Sequence, residues 1–347
     1  MIGRLSAAAA LGALVAAQPA LAHSGEAPVF RLGSAWDPAP VVALGAGIAL
    51  LLFMQAFVRL RRRGRADHAD WSRPVLFLLA MAIGTLALVS PLDAVGDSYL
   101  LSGHMLQHVL IGDAAPALAL VALRGPLLFF LLPYPLLRSL ARLPWLRRLL
   151  ALLLRPSVSL AIWVVVIAAW HVPAAYDYAL RHQTVHDLEH LSFILAGLLV
   201  WMQIIDPARR RRLRLSQRFG YMVALAAGGA VLADVLILSP GPLYPAYAAQ
   251  DERLFGISPF RDQQWAGVVM IVEQLASLGL CAGFLLHAHL RPARARERGA
   301  ITGFGDRAAA KRGRPASAGG MPLSCWLTAR RQRRTPAASA PPRGRPA

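Results

Sequence analysis

Seven apolar runs, each near the ~20 residues a helix needs to cross ~30 Å of hydrocarbon, decide what this chain can fold into. They cover approximately Pro40 to Leu60, Pro74 to Pro91, His104 to Leu123, Ser157 to His171, Val185 to Ile205, Phe219 to Leu238 and Gln264 to His287. The fourth is short unless it starts earlier, within Leu149 to Leu154. The expected fold class is an all-α integral membrane protein, a bundle of about seven transmembrane helices after a cleaved signal peptide. Composition agrees, because 56% hydrophobic and only 16% charged residues are too apolar a mix for a soluble globular domain.

The net charge of +19 could suggest a nucleic-acid partner. The arginines, however, fall in short clusters beside the apolar runs, as membrane topology requires, and no nucleic acid is expected as a partner. Arg59, Arg61, Arg62, Arg63 and Arg65 follow the first run; Arg138, Arg142, Arg147, Arg148 and Arg155 lie between the third and fourth; Arg209 to Arg212, Arg214 and Arg218 lie between the fifth and sixth. The remaining loops carry only Arg181, Arg253 and Arg261. Since basic residues in short loops stay cytoplasmic, the amino terminus is expected outside and the carboxyl terminus inside the bacterial inner (plasma) membrane.

The domain expectations follow the same pattern. Residues 1–22 hold Arg4, an apolar run and Ala20-Leu21-Ala22, the small-x-small pattern of a signal peptide. Residues 23–39 then form an outer leader, and 40–290 the membrane domain. Leu127 to Leu154, with prolines between leucines and arginines, reads as an interfacial amphipathic stretch. Residues 291–347 are rich in Arg, Ala, Gly, Pro and Ser, a basic tail expected to be disordered and cytoplasmic, and anionic lipid headgroups are a possible contact for it.

With this topology the histidines gather at one level. His104 and His108 are spaced i, i+4 at the outer end of the third run, so both imidazoles share a face, about 6 Å apart at Cβ. His186 and His190 repeat the spacing in the fifth run, and His171 closes the fourth. With two cysteines and no CxxC, any metal must be held by imidazole and carboxylate, a donor set suited to copper, zinc, iron or nickel. Met105 and Met81 could add thioether sulfur. Asp93, Asp97, Asp177, Asp187 and Glu189 flank the histidines as acceptors able to orient them. Asp113 and Glu273 lie deeper, each roughly 14 Å along its helix, and Asp234 lies nearer the outer end of the sixth run. Carboxyls at such depth are either neutral and hydrogen-bonded or part of a polar pocket. His186-Asp187-Leu188-Glu189-His190 also fits HxxEH, the inverted zinc-protease motif.

His104-Met105-Leu106-Gln107-His108 with Ala115-Pro116, Arg124-Gly125-Pro126, Trp170-His171-Val172-Pro173 with Tyr176-Asp177, the HDLEH segment leading to Trp201, and Asp262-Gln263-Gln264 with Gly267 occur in one order from Pro74 to His287. In these motifs the chain resembles the CtaG family of multi-spanning bacterial proteins associated with assembly of haem-copper cytochrome c oxidase. The resemblance implies a non-enzymatic factor that works with oxidase subunits and handles copper at the outer face. Copper binding by His104, His108, His171, His186 and His190 is the corresponding expectation, with Asp93, Asp113, Asp177, Glu189, Asp234, Asp262 and Glu273 as supporting or pocket residues. Two alternatives stay open: a haem-binding membrane electron-transfer protein, and an HxxEH membrane metallopeptidase.

Overall fold

The computed structural model describes Gly33, residues 35–210 and 212–312, with side chains to residue 290. The expected signal peptide, most of the leader, Arg211 and the tail beyond residue 312 lie outside the described residues. Among the described residues the regular structure is helical throughout.

The helices are α1 (Pro40–Arg62), α2 (Ser72–Val89), α3 (Pro91–Ser98), α4 (Leu101–Ala122), α5 (Pro126–Phe130), α6 (Tyr134–Ala141), α7 (Pro144–Leu153), α8 (Pro156–Trp170), α9 (Pro173–Arg181), α10 (Gln183–Ile205), α11 (Leu215–Leu238), α12 (Pro245–Ala248) and α13 (Pro259–Arg312). Proline opens many of them, where its missing N–H and fixed φ cost nothing. The chain divides after Leu286. The second unit, from His287, is helical where described, to Arg312.

Among the described residues, six helices are long and apolar enough to cross a membrane: α1, α2 with the turn before it, α4, α10, α11 and the Pro259–Leu290 part of α13. The expected fourth span is different. The helix α8 has 15 residues, about 22 Å at 1.5 Å per residue, and joins α7 through a 73° bend. Arg155 and Pro156 sit at that bend, and proline at the start of α8 disfavours a helical conformation for the residue before it. Among the described residues a seventh crossing is reached only if this bent pair is taken as one span. Large apolar side chains are exposed along the spans, including Leu51, Val75, Val223, Leu238 and Leu280, as a surface facing lipid acyl chains requires.

Close contacts between helix backbones set the register of the site. A Cβ on Gly197 of α10 would stand 1.8 Å from the Gly112 carbonyl oxygen of α4. Gly112 lies in a π-helical turn, Leu110–Ala114, followed by Pro116, which brings no amide hydrogen to the helix. The widened turn thus turns a backbone oxygen toward a neighbour that has no side chain. Gly96 of α3 plays the same part against α4, since a Cβ there would lie 3.0 Å from the His104 backbone. At the start of α4, Asp262 of α13 accepts from the amides of Leu101 (2.6 Å) and Ser102 (3.1 Å). Those amides have no partner within their own helix, so a carboxylate from another span caps α4 and opposes its dipole.

At the opposite end, rich in arginine, α10 stops at Asp206, which is left-handed (φ 50°). Arg218 bonds its carboxylate at 3.0 Å and the Ile204 carbonyl at 3.1 Å, satisfying the helix terminus. Gly125, at φ 83°, donates to the Pro207 carbonyl at 2.7 Å and ties α4 to α10 there.

Candidate metal centre

Six helices, α3, α4, α8, α9, α10 and α12, converge at the histidine end. The i, i+4 spacing puts His104 and His108 on one face of α4 and His186 and His190 on one face of α10, and these faces meet. Ring centroids are 4.2 Å apart for His104 and His108, 4.1 Å for His186 and His190, 5.2 Å for His104 and His186, and 5.3 Å for His108 and His190. All four side chains are buried. His171, at the end of α8, is buried too, 6.4 Å from His108 by ring centroids. The five histidines are thus brought together, four in mutual contact and the fifth alongside.

Carboxylates enter from two sides. Asp97 of α3 places Oδ1 3.4 Å from His186 Nε2 and 3.6 Å from His104 Nδ1. Glu189 of α10, only 1% exposed, places Oε1 3.6 Å from His108 Nε2. Burial raises the Asp97 carboxyl well above its ordinary range, reinforced by the negative charge of Asp93. Asp93 itself is pushed up to about 6 by burial, against a hydrogen bond from Gln107.

Two tyrosines from elements flanking α4 close the centre. The Tyr247 hydroxyl donates to the Gly96 carbonyl at 2.6 Å, so its oxygen is left to accept from His104 Nδ1, 3.2 Å away. The Tyr176 hydroxyl stands 3.0 Å from the same oxygen. His104 therefore carries its hydrogen on Nδ1 and its lone pair on Nε2. That lone pair faces His108 Nε2 at 2.7 Å.

Three further imidazole nitrogens in this cluster, His108 Nδ1, His186 Nε2 and His190 Nε2, are buried with no hydrogen-bond partner, as are Asp97 Oδ1 and Glu189 Oε1. Unpartnered buried polar atoms are rare because each forfeits its hydration, and five in one place form a donor set that could hold an ion. The ligand atoms of His104, His186 and His190 lie within 4.8 Å of one another, as do those of His104, His108 and Glu189. Two nitrogens on one tetrahedral ion with ~2.0–2.1 Å bonds stand about 3.3 Å apart, so a small ring rotation opens the His104–His108 pair to fit. The donor set fits a transition-metal ion.

Other residues singled out from the sequence fall elsewhere. Asp177 is buried on α9 with one unpartnered oxygen, and Asp187 is exposed, bonded by Gln183 at 3.0 Å. Asp262 acts on the start of α4 rather than on an imidazole. Asp234 is exposed on α11, and the two cavities lined by Glu273, one of them also by Asp113, do not include it. Met81 packs in the Phe53–Phe77 cluster, away from the histidines. Asp113 and Glu273 do share a cavity, and Asp113 accepts from Trp201 Nε1 and from Ser277 Oγ at 3.3 Å. A cavity of about 60 Å³ runs from His108 and His171 to this pair. Tyr244 and Tyr247 escaped the sequence reading, since LYPAYAAQ has the composition of an ordinary loop.

The sequence profile of the cytochrome c oxidase caa3 assembly factor family (Caa3_CtaG) matches residues 51–291. The chain belongs to that family. The match spans all of the helices that carry the histidine centre, from α2 through Glu273. No curated protein and no solved structure gives a significant match to the chain. Membership makes this a multi-pass membrane protein of oxidase assembly, and the expected family is the one found.

Proposed function

We propose that this assembly factor binds copper at the outer face of the membrane and passes it to a cytochrome c oxidase subunit. The observation that carries the reading is the four-imidazole cluster of His104, His108, His186 and His190, in which His108 Nδ1, His186 Nε2 and His190 Nε2 are buried without a hydrogen-bond partner in the protein. Imidazole with neighbouring carboxylate is a donor set for copper, and an ion held between two helices can be released by a small shift of one against the other. Asp97 and Glu189 balance the charge of the ion, while Asp93 holds Gln107 on the α4 face that carries His104 and His108. The role is that of a carrier, with copper as cargo and no reaction catalysed.

The geometry disfavours the two alternatives. A haem would need a flat slot between opposed imidazoles, and the rings of the two pairs are in contact at 4.1–5.3 Å. A metallopeptidase needs an open cleft beside its glutamate, whereas Glu189 is sealed in the bundle and turned to His108.

Metal content and the absorption spectrum of the detergent-solubilised protein test the reading, together with oxidase activity in cells carrying His104→Ala or His190→Ala. We expect bound copper without a Soret band, loss of that copper in either variant, and inactive oxidase in both strains. Purified protein devoid of copper, with both variants still supporting oxidase, would sink the proposal.

A further inference from the structure

One pair of buried lone-pair donors beside the cluster has no hydrogen between them. The Nδ1 of His171 lies 2.8 Å from the Ile167 carbonyl oxygen. A carbonyl only accepts, so Nδ1 carries the hydrogen and a neutral ring keeps its lone pair on Nε2. That Nε2 faces the Met105 thioether sulfur at 3.2 Å, and a thioether has no hydrogen to give. Both residues are interior, with Met105 1% exposed and His171 8%. Protonating Nε2 would place an unpaired cation here, because the carboxylates within ion-pair reach of the cluster contact His104, His108 and His186 and leave His171 alone. A soft cation satisfies nitrogen and sulfur together.

A second sulfur is at hand. Met270 of α13 packs against the cluster that contains Met105 and lines the same cavity of about 60 Å³ as Met105, His108 and His171. Three spans thus offer one imidazole nitrogen and two thioethers around a common space. Thioether sulfur favours monovalent copper over zinc or divalent copper, whereas an all-nitrogen cluster accepts all three.

We infer that His171, Met105 and Met270 form a second metal site, selective for Cu(I), that adjoins the four-imidazole cluster across the ring of His108. The inference rests on the copper reading of that cluster and adds a distinct site of different chemistry. His108 belongs to the cluster and lines this cavity, so one ring borders both sites. The sulfur site supplies the oxidation-state selectivity that imidazoles lack.

The test loads purified full-length protein anaerobically with Cu(I) from a bicinchoninate donor, counts bound copper, and records X-ray absorption at the copper edge. We expect about two copper ions per chain and a sulfur shell in addition to nitrogen. Met105→Leu and Met270→Leu, which nearly conserve volume, should each remove the sulfur signal and one ion while the nitrogen-bound ion stays. Selenomethionine-labelled wild-type protein supplies a readout independent of any variant, a copper–selenium shell. Copper bound through nitrogen alone, lost in His104→Ala and unchanged in Met105→Leu, overturns the second site and leaves the cluster reading standing. Protein that takes up no copper overturns both.

Discussion

Tyr247 fixes the tautomer of His104, and so decides which nitrogen is offered to an ion. Its hydroxyl has one hydrogen, given to Gly96, and this obliges His104 to donate through Nδ1. Groups that orient a metal ligand in this way are typically worth 10–100-fold in affinity. We therefore expect Tyr247→Phe to weaken copper binding by roughly that factor and to lower the thermal midpoint of the purified protein modestly, because the Gly96 carbonyl and the Tyr176 hydroxyl lose a partner. A copper competition titration reads the first effect, and unchanged affinity would show that His104 is oriented without Tyr247. At this scale the sequence was informative about the ligands and silent about their partners. The i, i+4 histidine pairs announce themselves by spacing, and their depth follows from the apolar runs. A tyrosine in a short loop does not, because nothing in its neighbours says that the loop folds back over a helix end. Asp262 stands out in the sequence as part of the motif that opens the last apolar run, but its bond to the first amides of α4 depends on the packing of two helices distant in sequence.

Between elements, the contact of α4 with α10 carries the most constraint, because it brings the two histidine pairs face to face. It depends on a glycine whose hypothetical Cβ would overlap the Gly112 oxygen at 1.8 Å. An alanine at 197 must push the helices apart or regularise the π turn, and a valine must do more. Overpacking of this kind costs ~1–3 kcal/mol, and the displacement would also separate the imidazoles of α4 from those of α10. Gly197→Val should lower the thermal midpoint in detergent and lose bound copper together, although residue 197 lies nearly two turns along α10 from His190. A variant that melts lower yet retains wild-type copper affinity would mean that the centre tolerates a shift of the helices. The elements themselves were legible as apolar runs to within a few residues. The π turn was not, since Gly112 and Pro116 suit an ordinary kinked helix equally well. Nor was the bend between α7 and α8, where hydropathy runs on across Arg155 and Pro156 while the backbone turns by 73°.

For the whole molecule, the arginine distribution and the histidine centre make one joint claim, that the metal-binding end faces outward. Arg59, Arg61 and Arg62 end α1, Arg124 and Arg142 follow α4, and Arg209 and Arg218 stand between α10 and α11, all at the end opposite the histidines. Basic residues in short loops are retained in the cytoplasm, which predicts that the histidines, the α3 acids and the tyrosine segment lie outside. Single-cysteine proteins check this directly once Cys281 and Cys325 are replaced by alanine. Asp251→Cys, in the exposed loop between α12 and α13, should react with a membrane-impermeant maleimide on intact spheroplasts. Arg142→Cys, exposed between α6 and α7, should react only after permeabilisation. The reverse pattern would place the imidazole cluster on the cytoplasmic side, and a carrier so oriented would have to receive and release its copper there. The proposed outer delivery to an oxidase subunit would then fail, even if every ligand assignment held.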